Sequence, residues 1–93
     1  VHTLYEFGEG VKVFMNTMTH DVLEIVALAS GINAGDLKLS DILATDLALD
    51  SVDLLNLAQE LEQHFQIELP DSSVRASMTV GELITEVERL KAA

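Results

Sequence analysis

Three runs of this chain repeat apolar residues at helical spacing, and the stretches between them do not. Val22, Ile25, Val26 and Ala29 recur at i, i+3, i+4 and i+7, with Thr19 a suitable N-cap and Gly31 a stop. Leu23 and Leu28 lie off this stripe, so the first helix is apolar on more than one side and is expected to touch either the N-terminal residues or the loop that follows. The second run, Leu54, Leu57, Ala58, Leu61 and Phe65, places five side chains on one stripe of a helix that begins at Asp50 or Ser51 and ends near Phe65 or Gln66. Pro70 then forbids continuation. Thr79 and Glu82 have the spacing of a capping box, and Leu83, Ile84, Val87 and Leu90 continue from it as the last helix, with Arg89 and Lys91 near its C-terminus.

Between the first two helices, Ile32 to Leu49 breaks into short apolar pieces, Leu37-Lys38-Leu39, Ile42-Leu43 and Leu47-Ala48-Leu49. A loop of this length is uncommon in a small domain unless its apolar residues pin it across the core. Asp71 to Ser77 has room for one brief helical turn. Residues 1–16 read differently: they hold three of the four aromatics, Tyr5, Phe7 and Phe14, interrupted by Gly8-Glu9-Gly10. Val11 to Phe14 alternates weakly, but a lone short strand has nothing to pair with, so a disordered extension over 1–16 ahead of a domain over 17–93 is expected.

Composition supports an all-α fold. Ninety-three residues make one domain, and with 48% apolar but only 4% aromatic residues the core must come from Leu, Ile, Val and Ala, which suits helices packed on helices. The formal charge is −11, and from Leu39 to Val74 there is no Lys or Arg, whereas Asp41, Asp46, Asp50, Asp53, Glu60, Glu62, Glu68 and Asp71 all fall there. Such a field repels phosphate backbones and anionic lipid, so nucleic acid and membrane are poor partners and basic protein patches are good ones. No apolar run is long enough for a membrane span and no leader pattern is read at the N-terminus; a cytoplasmic monomer is expected.

The candidate chemistry centres on Ser51. A hydrolytic serine needs a base within hydrogen-bond reach, but His64 lies thirteen positions along the same helix, roughly 20 Å at 1.5 Å per residue. There is no Gly-x-Ser-x-Gly elbow, no cysteine and no metal-ligand spacing among His2, His20 and His64, so an enzyme is not expected. Taken from helix chemistry alone, Ser51 and Asp50 could be purely structural residues of a helix N-terminus. Val52 and Leu55 project outside the core stripe beside the serine, and with Asp53, Glu60 and Glu62 they form a candidate docking patch.

The joint occurrence of Asp50-Ser51-Val52, the Leu61-Glu62-x-x-Phe65 turn and Leu69-Pro70 resembles the acyl carrier protein family over about Met18 to Leu90. That resemblance implies a four-helix bundle of three main helices, one short helix and a long first loop. It also implies that Ser51 carries 4′-phosphopantetheine delivered from coenzyme A by a phosphopantetheinyl transferase, with Asp50 helping to bind that enzyme's metal and coenzyme. The loaded arm would hold acyl or aminoacyl groups as thioesters for partner enzymes with basic docking patches. Leu49 before Asp-Ser departs from the Gly-rich approach of fatty-acid-synthesis members and is more typical of D-alanyl and other specialised carriers; Asn56 and Gln59 also depart from the usual pattern. The alternative from another class is an unmodified acidic helical module that binds a basic partner.

Overall fold

The computed structural model describes residues 3–7, 11–15, 17–70 and 73–92. Its order is strand β1 (Thr3–Phe7), strand β2 (Val11–Met15), helix α1 (Thr17–Ser30), a 3₁₀ turn (Ala34–Asp36), helix α2 (Ser51–Phe65) and helix α3 (Val80–Ala92). Helix α1 packs on both α2 and α3. The all-helical bundle expected from the apolar spacing is what forms.

One boundary differs from the sequence reading. Helix α1 starts at Thr17, so Thr19 lies within its first turn and is not the cap; Met18, one turn before Val22, packs on the core and extends the buried stripe. Leu23 is also core, 3% exposed, while Leu28 faces outward. Helix α2 ends at Phe65, where the spacing placed it: Gln66 takes a left-handed conformation at φ 54° and its N–H donates to Glu62 O. Lys91 of α3 donates from Nζ to Phe65 O at 2.9 Å, placing a cation on the carbonyl end of α2.

The expectation that a strand over Val11–Phe14 has nothing to pair with is corrected. β1 and β2 pair antiparallel, Thr3 opposite Met15 and Phe7 opposite Val11, with β2 against α1 and β1 against the 3₁₀ turn. The Gly8-Glu9-Gly10 stretch between them lies outside the described residues. Alternation shows that a segment can be a strand, whereas its partner is set by a register that no single segment displays. The short helical turn expected over Asp71 to Ser77 begins on two residues outside the described ones; beyond them, Ser73 N–H donates to Pro70 O and Met78 N–H to Arg75 O.

The core is a continuous aliphatic cluster. Val22 and Val26 from α1, Leu57 and Leu61 from α2, and Leu83 and Val87 from α3 are all but fully buried, and Leu37, Leu43, Leu47 and Leu49 of the long loop join them. The loop is pinned as the apolar pieces require, and the backbone shows how: Leu43 N–H donates to Met78 O, Val80 N–H to Asp41 O and Gly81 N–H to Leu39 O. The last contact explains a glycine, because a Cβ at Gly81 would stand 3.2 Å from Leu39 O. Two acids of the cation-free stretch serve the loop itself, Asp41 accepting from Lys38 N–H and Asp46 from Ile42 N–H. Thr79 and Glu82 close the expected capping box on α3.

Across the α1–α2 contact, His64 Nε2 meets Asp21 Oδ2 at 2.9 Å, and His20 lies 3.5 Å from Asp21 and 3.3 Å from Glu24. The hydrogen bond with His64 holds the Asp21 carboxyl below its ordinary value against an opposing desolvation, and His20 adds to the lowering. A carboxylate depressed in the folded state contributes stability above its unfolded pKa and loses it as pH falls through the folded one. Asp21→Asn should therefore be less stable than the parent at pH 7, with the gap narrowing as pH drops below 3.8. Urea midpoints measured at pH 7, 5 and 3 check this; a gap undiminished at pH 3 would assign the loss to something other than the carboxylate charge.

Candidate functional site

The N-terminus of α2 is built by a reciprocal cap. Asp53 N–H donates to Asp50 Oδ1 at 2.8 Å and Asp50 N–H donates to Asp53 Oδ2 at 3.2 Å. The two aspartates thus fill the capping role that a serine could have taken, and Ser51, the first residue of the helix, is left exposed. Helix geometry leaves the amides of Ser51 and Val52 without intrahelical acceptors, so the positive end of the helix dipole sits under the Ser51 hydroxyl.

A groove of about 200 Å³ opens beside that hydroxyl, lined by Ser51, Leu54, Leu55, Ala58, Pro70 and Val74. Leu54 and Ala58 follow Ser51 by three and seven residues and share its side of the helix. That part of the wall could be read from spacing. Pro70 and Val74 come from the segment after α2, and no local pattern announces them.

The proposed docking residues do not form one patch. At 100° per residue, Leu55 and Glu62 project within about 40° of Ser51 and Val52 about 100° away, whereas Glu60 lies about 180° round the helix and Asp53 about 200°. Val52 and Leu55 are 62% and 54% exposed, as expected for residues off the core stripe of Leu57, Leu61 and Phe65. Asp53 is engaged in the cap. Glu62 accepts from Leu69 N–H at 2.9 Å, tying down the segment that carries Pro70 into the serine groove. Glu60 instead lines a second groove between α1 and α2.

These ties can be measured. Asp50→Ala should cost about 1 kcal/mol, the usual loss of an N-cap acceptor. Glu62→Ala should speed exchange of the Leu69 amide roughly tenfold, since a partly buried N–H loses its acceptor. Leu69 exchange unchanged by that substitution would show that another group holds the segment.

Of the described histidines, neither His20 nor His64 is placed beside the serine. His64 sits near the far end of α2 and is engaged with Asp21, and His20 is on α1. His2 lies outside the described residues. Among the described residues no three His, Cys, Asp or Glu side chains cluster as a metal site, and no helix is long and apolar enough to cross a membrane.

Comparison with known proteins shows the family of this chain. Residues 20–87 match the family described as "Phosphopantetheine attachment site". The chain is 33% identical over 67 residues to an acyl carrier protein of Clostridium acetobutylicum, covering 72% of this chain and 87% of that protein. It is 34% identical over 70 residues to an acyl carrier protein of Sulfurovum, covering 75% and 93%, and 32% identical over 71 residues to one of Wolinella succinogenes, covering 76% and 93%. Acyl carrier proteins are carriers and not enzymes, and their prosthetic group is 4′-phosphopantetheine. With the matched region reaching from α1 through α2 into α3, this chain belongs to the acyl carrier protein family.

Proposed function

We propose that Ser51 is the residue that takes the 4′-phosphopantetheine arm, and that the chain carries acyl or aminoacyl groups between enzymes of fatty acid, lipid or secondary-metabolite synthesis. The observation that carries this is an exposed hydroxyl at the first position of α2 whose capping role is already filled by Asp50 and Asp53. In the loading step the Ser51 oxygen attacks the pyrophosphate of coenzyme A, forming an O–P bond. Adenosine 3′,5′-bisphosphate leaves, and the hydroxyl proton passes to a base of the transferase.

The chain's own residues fit this role. The unpaired first-turn amides of α2 offset the negative charge of a phosphodiester at Ser51. Leu54, Ala58, Pro70 and Val74 offer the base of the arm an apolar wall. Val52 and Leu55 give an incoming enzyme an apolar footing, while the acids around them attract its basic surface. Asp50 has its Oδ1 in the cap, which leaves Oδ2 for the transferase's metal and coenzyme. When attached, the arm supplies the thiol that a chain without cysteine lacks.

We place the carrier unit at residues 17–93, which contain the family match and the described aliphatic core. Incubation with coenzyme A and a broad-specificity phosphopantetheinyl transferase, read by intact mass, should add about 340 Da to the whole chain and to a fragment of residues 17–93 alike. Unchanged mass of the whole chain, under conditions that load a known carrier, would favour the unmodified acidic adaptor instead.

A further inference from the structure

A second groove, separate from the serine, opens where α1 crosses α2. It holds about 310 Å³ and is lined by Ile25, Leu28, Ala29, Asn56, Leu57 and Glu60. Leu28 is 84% exposed, more than Val52 or Leu55. Single exposed leucines are ordinary, but this one stands at the mouth of a groove with mostly aliphatic walls. Its flanks are acidic: Glu60 lines it from α2, and Glu24, one turn before Leu28 on α1, is exposed.

Charge selects the occupant. None of the lining residues is basic, the chain carries −11, and no Lys or Arg occurs between Leu39 and Val74. A second copy of this chain would bring like charge to the groove, and an anionic lipid surface would be repelled in the same way. An aliphatic anchor on a cationic segment satisfies both the walls and the rim. We propose that the α1–α2 groove around Leu28 is a docking site for a basic amphipathic segment of a partner protein, which seats one aliphatic side chain beside Leu28 and sets Lys or Arg against Glu60 and Glu24.

This surface is distinct from the face that presents the serine. Glu60 and Asn56 lie about 180° and 140° round α2 from Ser51. A partner held at Leu28 therefore leaves Ser51, Leu55 and their groove open to a second protein, and the site does not depend on modification of the serine.

The test is an NMR titration of the full-length, isotope-labelled chain with a synthetic helical peptide of Leu and Lys at amphipathic spacing. Controls are a peptide with Ser in place of Leu and one with Glu in place of Lys. The Leu-Lys peptide should shift the amides of Ile25, Leu28, Ala29, Asn56 and Glu60. Leu28→Ser should weaken binding about tenfold, as expected for loss of a central apolar anchor. Glu60→Gln should weaken it and flatten its salt dependence, and Ser51→Ala should leave it unchanged. Since Leu28 lies mostly outside the core, its variant should keep the parent's circular dichroism. Shifts confined to Val52 and Leu55, or undiminished binding by Leu28→Ser, would overturn the proposal. So would equal affinity for either control peptide, or self-association in sedimentation that Leu28→Ser abolishes.

Discussion

Ser51→Ala should abolish loading by coenzyme A and transferase while leaving the fold untouched. The parent gains about 340 Da in intact mass and the variant gains nothing, because no other side chain can replace the esterified hydroxyl at that position. Stability should change by no more than about 0.5 kcal/mol, since the side chain is exposed and the cap of α2 is made by Asp50 and Asp53. Both readouts are needed. A variant that loses loading and also unfolds would not separate chemistry from structure, whereas a variant that still loads would move the attachment to another residue and sink the assignment of Ser51.

The second large effect lies on the core face of the same helix, about 80° round from Ser51. Leu61 is fully buried in the shared aliphatic core, and Leu61→Ala removes most of a side chain that the core cannot readily close around. Such substitutions cost about 2–5 kcal/mol, a large share of the roughly 5–15 kcal/mol that holds a small domain together. Leu55→Ala, six residues earlier and 54% exposed, should cost well under half as much and act instead on enzyme binding. Urea denaturation followed by circular dichroism separates them. Equal losses would show that Leu55 is a structural residue and that the docking face is confined to Val52.

The acidic stretch divides in the same way between structure and recognition. Asp41, Asp46, Asp50, Asp53 and Glu62 all accept backbone N–H groups, so part of the charge that read as a docking field is local scaffolding. These carboxylates attract basic partners only after serving the loops and caps that hold them. Glu60, which lines the Leu28 groove, lies about two and a half turns along α2 from the serine and faces the opposite side of the helix.

Helix positions, the exposed Val52 and Leu55, and the placement of Ser51 at a helix mouth were legible in the sequence because each depends on spacing within one element, where 3.6 residues per turn converts order directly into direction. The capping box of α3 was legible for the same reason, being a contact between residues three apart. What the sequence could not decide are contacts whose partners lie in different elements: the pairing of β1 with β2, the Glu62 tie to Leu69, the Pro70 and Val74 wall beside Ser51, and the Leu28 groove at the helix crossing. These depend on register and on how helices cross, which no local periodicity encodes. Only the packed bundle brings such residues together.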